Sequence, residues 1–452
     1  MRDEPIIEAK TPKFYGVRGW RKWAAIATAC ALVLSIGLLI PRVERGKKGD
    51  PKAGTILDVV YPKAYAFDDF DAGREVREQN PVEASFIEAL NEFSYKTSPH
   101  ILTRVGENTN YSPLSLYYAL SLAASGAQGE TEAELLTLLG VPSSKILAKQ
   151  CGNLYRTLYR ENTIGKFKIA NSLWLANELN GEPVTFKEDF VKQAAADFYA
   201  SFHKVNFSNA ETGKAMADWI ATNTNGTLAP TIETDPGQIF SILNTVYFHD
   251  EWVNRFEKSK TAKDVFHLSN GDDVTCDFMN ATSSSAGYAI GEGFTRASIG
   301  LKNAGQMIFI QPDVGVSPYS LLATQEQMRE TFAGGHDFHG IVTWKLPKFS
   351  FSSKLALANV LQELGVVSAF AADADFSRIT DRMASVSEVQ QNTYIAIDEN
   401  GVEASAFTEV RYVGAAPPEG RADMILDRPF IYGITAQNGV LLFVGVCENP
   451  TK

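Results

Sequence analysis

Residues able to do chemistry are sparse in this chain of 452 residues. The imidazoles are His100, His203, His249, His267, His336 and His339. Nowhere does the sequence carry a GxSxG elbow, a GxxxxGK[ST] loop, an HExxH helix or a GxGxxG turn after a strand. His336 and His339 have a spacing that could offer two metal ligands. They follow the Gly-rich stretch Ala333-Gly334-Gly335 without helical periodicity, which predicts a solvated loop. Asp68, Asp69 and Asp71 cluster around Phe70. Paired carboxylates do acid–base work only where burial drives their pKa values apart, and this polar stretch predicts solvated side chains. Of the four cysteines, Cys30 lies in an apolar run, and Cys151, Cys276 and Cys447 are far apart with no CxxC pair. A zinc site or disulfide framework is not expected; buried apolar thiols are. No metal, no cofactor and no enzymatic activity are expected.

The elements that would position any site belong to a folded globular protein. Hydrophobic residues make up 45% and charged residues 21%, enough to build a large core. The net charge of −11 argues against nucleic acid as a partner. Trp23 to Ile40 is an uncharged run of 18 residues. As a helix it spans roughly 27 Å, about the thickness of a bilayer core. Arg18, Arg21 and Lys22 precede it, and Arg42, Arg45, Lys47 and Lys48 follow, so charge gives no orientation. The absence of a small-residue cleavage site after Ile40 favours an uncleaved signal anchor over a removed signal peptide. A buried core helix is the other reading. The expected organisation is a cytoplasmic segment 1–22, a transmembrane anchor 23–40, a polar stalk 41–80 and one domain 81–452 outside the cell, secreted if the N-terminal segment is cut away.

Within 81–452, apolar periodicity predicts helices over Val82–Phe93, Pro113–Ser125, Thr131–Leu139 and Phe186–Phe198. Ser112 is a good N-cap with Pro113 at the first helical position. Strand signals dominate later, at 245–248, 307–310, 393–397, 430–434 and 441–444. Helices first and strands later predict an α+β fold.

Several segments then resemble one family in their order and spacing. Asn108-Thr-Asn-Tyr-Ser112-Pro113-Leu-Ser115, Gly126-Ala-Gln-Gly-Glu-Thr131 and Asn244-Thr-Val-Tyr-Phe-His-Asp-Glu-Trp252 resemble serpin motifs, with His249-Asp250 departing from the usual Lys-Gly. Leu346-Pro-Lys-Phe349, Ala374-Asp-Phe-Ser377, Asp427-Arg-Pro-Phe430 and Leu442-Phe-Val-Gly445 follow at similar intervals. The resemblance covers about 81 to 452. It implies three β-sheets with eight or nine helices and an exposed reactive-centre loop. A target serine protease cuts that loop, which then inserts as a new strand and traps the enzyme covalently. The resemblance also places Ser112, Asn244, Trp252 and Gln391 where the family controls sheet opening. It implies a monomer.

The loop itself reads as a strand. Val402, Ala404, Ala406, Thr408, Val410 and Tyr412 alternate with Glu403, Ser405, Phe407, Glu409 and Arg411. The first face could be buried; the second, except Phe407, belongs in water. Gly401 suits a hinge, and no Pro interrupts before Pro417. In the family the hinge Glu stands seventeen positions before the cut bond, itself included. Counting from Glu399 gives Ala415–Ala416, with Gly414 or Ala416 as alternative bait residues. The hinge is then Glu399, Gly401, Val402, Glu403, Ala404, Ser405, Ala406 and Thr408. A small bait side chain suits a shallow, elastase-like pocket. A non-inhibitory serpin acting as a binding module, and an inhibitor of papain-like cysteine proteases, remain alternatives.

Overall fold

The computed structural model describes residues 54–303, 305–386, 389–403 and 420–452. The apolar run 23–40, most of the reactive loop and the bond Ala415–Ala416 lie outside them. Among the described residues no helix is long and apolar enough to cross a membrane.

These residues form nine α-helices and three β-sheets, the α+β architecture expected. The sheet that matters here contains β1 (Gly54–Leu57), β2 (Lys166–Ala176), β3 (Ala200–Val205), β4 (Phe240–Glu251), β5 (Phe349–Ala356), β6 (Gln390–Ile397) and β7 (Gly401–Val402), in the order β1-β3-β2-β4-β7-β6-β5. Arg160–Glu161 adds a short strand on β2. β7 is antiparallel to both β4 and β6, so those two long strands run parallel to each other. Among the described residues, β7 is the strand that pairs with both of them.

A nine-stranded sheet includes the C-terminal hairpin Phe430–Thr435/Leu441–Cys447 and packs behind the first. Phe248 meets Phe443 across the interface, and Phe349 meets Tyr432 with ring centroids 5.5 Å apart. The helix Pro113–Gly126 runs through this core. It is buried on nearly every side, which accounts for its lack of a polar face. Ser112 caps it by accepting from the Ser115 N–H, as its sequence predicts. Cys151, Cys276 and Cys447 are free and buried, as expected.

Two expectations are corrected. Residues 54–80, read as the outer part of a polar stalk, are folded. β1 extends the sheet edge by pairing with β3, and Phe70–Gln79 forms a helix capped by Asp69, which accepts from the Ala72 N–H. Between them Tyr61 stacks on Tyr159 and Tyr199, with the Lys168 ammonium 4.0 Å from its ring centroid. Four aromatic and cationic side chains offset the entropy of ordering a polar segment that has little aliphatic surface. Secondly, His336–His339 is no loop. It opens the strand His336–Pro347 and pairs with 287–290, its imidazoles exposed and His339 bonded to Ser285.

Tyr61→Ala is expected to lose stacking on two rings and one cation. It should destabilise the domain by roughly 2 kcal/mol, measurable by urea unfolding. A change indistinguishable from zero would show that the segment merely lies against the domain.

Candidate functional site: the hinge and the open cleft

The site begins where β6 ends. The chain turns through Asp398, Glu399 and Asn400 and re-enters the sheet as β7. Asp398 Oδ1 accepts from the Asn400 N–H at 2.7 Å and the Gly401 N–H at 3.3 Å, an Asx turn that reverses the chain. Gly401 is required by close approach: a Cβ there would collide with the Asp250 carbonyl oxygen on β4. Val402 pairs with Asp250 on one side and Ile397 on the other, and its side chain is 2% exposed. Val402 faces in, whereas Glu403, expected in water, is half-buried, because its left-handed backbone takes it off the strand alternation.

Glu399 anchors the turn. Its carboxylate is buried, accepting from Thr261 Oγ1 at 2.8 Å and from Lys348 Nζ at 3.0 Å. Burial alone would raise its pKa, but hydrogen bonds from its backbone, Thr261 and Lys348 together hold it below the ordinary value. Trp252, fully buried, clamps the same turn. Its indole N–H donates to the Asp398 carbonyl at 2.9 Å and its backbone N–H to the Asn400 carbonyl at 3.0 Å. The His249-Asp250 departure also has a structural role. Asp250 is wholly buried and accepts from the Asn303 N–H at 2.8 Å and Nδ2 at 3.0 Å, tying the end of β4 to the neighbouring turn.

Ser112, Asn244 and Gln391 meet some way down the cleft, apart from Trp252. Gln391 on β6 exchanges two hydrogen bonds of 2.9 Å with the Ser112 backbone. Ser112 Oγ donates to the Leu442 carbonyl at 2.8 Å. Ser115 Oγ donates to Asn244 on β4. Asn244 Nδ2 donates to Asn171 Oδ1 at 2.6 Å, and Asn171 Nδ2 to the Phe198 carbonyl at 2.7 Å. One polar chain thus crosses from β2 through β4 to the helix N-terminus and β6. It supplements the ladder between β2 and β4 and links β4 to β6, which among the described residues are joined by backbone pairing only through β7. Ser115 and Lys348 lie within quoted motifs without having been singled out; Asn171, Thr261 and Asn303 carry no sequence signal.

Between β4 and β6 the described residues leave space. One cavity of about 710 Å³ is lined by Ile242, Asn244, Gln390 and Asn392, under the helix Ala210–Asn223. Towards the hinge a wider opening of about 890 Å³ is lined by Tyr247, His249, Tyr394, Ala396 and Glu403. Of the expected hinge residues, Glu399, Gly401, Val402 and Glu403 are placed here. Ala404, Ser405, Ala406 and Thr408 lie outside the described residues.

The comparisons with known proteins agree with this geometry. The family model "Serpin (serine protease inhibitor)" matches residues 88–450. The chain is 27% identical to Serpin-ZX of Arabidopsis thaliana over 80% of its own length and 98% of that protein's. It superposes on the thermophilic serpin tengpin in its native state with a TM-score of 0.74 and 25% identity, covering 88% of this chain and all of that one. For tengpin in the latent state the TM-score is 0.69 with 26% identity, covering 81% of this chain and 98% of that one. The chain belongs to the serpin family, whose members are generally protease inhibitors.

Glu403 generates a prediction. It holds φ at 51°, a left-handed conformation uncommon for a side chain of this kind. Its N–H donates to the Ala396 carbonyl at 2.8 Å, continuing the β7–β6 pairing. Burial pushes its carboxyl up to about 7, against the hydrogen bond from Tyr247. Because the folded value is raised, the neutral form favours this hinge. The contribution is present below about pH 4.5 and is lost as pH rises towards 7. Amide protection at 403, corrected for intrinsic exchange, should fall between about pH 5 and pH 8, and Glu403→Gln should flatten the profile. Identical profiles for the two proteins would contradict the burial of this carboxylate.

Proposed function

We propose that this chain is a suicide inhibitor of an extracellular elastase-like serine protease, working by conformational trapping. The single observation that carries the reading is β7 itself. Two residues of the hinge already lie antiparallel to both β4 and β6, at the mouth of the cleft those strands leave between them. Extending the same register sets Glu403 against His249, Ala404 against Phe248, Ala406 against Val246, Thr408 against Asn244 and Tyr412 against Phe240. The inserted strand would then end where β4 begins, at Phe240. On the other side, Ala404, Ala406 and Thr408 would meet Ile395, Thr393 and Gln391. Ile395, Thr393 and Gln391 are buried, so the small residues of the loop would enter facing the core.

In this mechanism the protease attacks the carbonyl of Ala415 and forms the acyl-enzyme, releasing the amine of Ala416. The freed loop zips into the cleft before the ester hydrolyses, and the tethered protease is carried away from its starting position. The buried Glu399–Lys348 pair and the Trp252 clamp fix the point from which zipping starts. The Ser112–Asn244–Gln391 chain would part and re-form around the new strand. The inhibitor would act as a monomer, held at the outer membrane surface by the helix 23–40. An encounter with the protease needs no cofactor.

The experiment is incubation with a panel of elastase-, trypsin- and papain-like proteases. An elastase-like enzyme should give a complex that survives denaturant, with a released peptide beginning at Ala416. Ala406→Arg would place a charge against Val246 and Thr393 in the core. An unpaired buried charge is costly, so this variant should be cut as a substrate without forming the complex. Ser405→Arg, on the outward face, should keep most of the inhibition. If neither the parent protein nor Ser405→Arg forms a complex with any protease of the panel, the chain is a binding module. A complex with only the papain-like enzyme would redirect the same mechanism to another protease class.

A further inference from the structure

A third cavity lies beside the hinge end of β4, closed by the folded segment before the first long helix. It has a volume of about 190 Å³. Val82, Leu158, Phe167, Phe248 and Leu442 give it an apolar wall. Its polar side carries three cations, Arg77, Arg160 and Lys166, and one carboxylate, Asp250. Lys166 is paired with Glu161 at 2.7 Å, and Asp250 is taken up by the hydrogen bonds from Asn303. Arg160 is held by neutral groups: it donates to the Thr157 and Tyr159 carbonyls and lies 4.9 Å from the Tyr65 ring centroid. Burial, with Arg77 nearby, lowers the pKa of its guanidinium despite the opposing influence of Tyr65 and Asp250. Arg77 forms no ion pair among the described residues. His249 also lines the cavity, and its Nε2 is buried without a hydrogen-bond partner.

We propose that this cavity is a binding site for a small organic monocarboxylate whose apolar body is about the size of one ring. An apolar cavity of about 150 Å³ is enough to hold benzene, so the volume here accommodates a ring with a small head group. A carboxylate would accept from the guanidinium groups in the geometry they favour and from the orphaned His249 nitrogen. It would also relieve the charge that Arg77 and Arg160 place on each other. An inorganic anion would leave the apolar wall against water, and a neutral ligand would leave the cations uncompensated. The site stands on its own residues and does not rest on the inhibitory reading.

The test is fluorine NMR of 4-fluorobenzoate added to the full chain, with 4-fluorobenzamide as the neutral match. The acid should bind saturably and the amide about tenfold more weakly. Arg77→Gln should weaken the acid by roughly fivefold, as expected of a solvent-screened pair. Leu158→Trp and Val82→Phe each fill the cavity. Whichever keeps the wild-type melting temperature should lose binding. Absence of saturable binding at millimolar acid would overturn the proposal. Equal affinity for acid and amide, unchanged affinity in Arg77→Gln, or undiminished binding in a folded filling variant would do the same.

Discussion

The proposed mechanism depends on the space that the described residues leave between two parallel strands of one sheet. β4 and β6 run parallel, the two residues of β7 lie between them at one end, and among the described residues the rest of their facing edges open onto cavities. Unpaired sheet edges are normally hidden or blunted, since backbone groups left without partners are costly when removed from water. Here the two edges face each other inside a domain, held apart by the tight seating of Gly401 against Asp250 and held together by side chains. On the proposed reading, that arrangement is the seat of an extended segment of matching length and alternation.

The side chains around the vacancy have two distinct jobs. At the hinge they fix position. The Asx turn at Asp398, the Trp252 clamp, and the buried carboxylates of Glu399 and Asp250 hold Gly401 and Val402 in register between β4 and β6. Farther down, the chain Asn171–Asn244–Ser115–Ser112–Gln391 bridges the strands with hydrogen bonds that can be exchanged without exposing aliphatic core. Such networks are satisfied in the closed state and costly only when half-broken. On the proposed mechanism they suit a seam that opens once and reseals.

Much of this was legible in the residues. Ser112-Pro113 announced the start of the central helix, and 393–397 announced the core of β6, because capping and period-two alternation are local properties. The apolar character of Val402, which is buried between β4 and β6, was visible for the same reason. What stayed hidden depends on distant partners. Lys348 pairs with Glu399 from 51 residues away, Asn171 reaches Asn244 across 73, and neither separation leaves a periodic trace. Residues 54–80 looked like a stalk because their burial rests on tyrosines stacking with tyrosines elsewhere and on Ile56, Leu57 and Val59, too short a run to show a period. His336–His339 looked like a loop because its side chains stay exposed after the backbone has paired.

If the vacancy is the seat of the loop, then the intact protein is not the most stable form this chain can adopt. Calorimetry before and after a single cut in the reactive loop measures that difference directly. Val402 is already buried; filling the cleft would bury Val410 and Tyr412 with the strand between them, and each large apolar side chain contributes roughly 1.5–3 kcal/mol. With the added backbone pairing, the melting temperature of the cleaved protein should rise by at least about 10 °C. An unchanged or lowered melting temperature after complete cleavage would contradict the account, because it would mean that the cleft does not take up the strand.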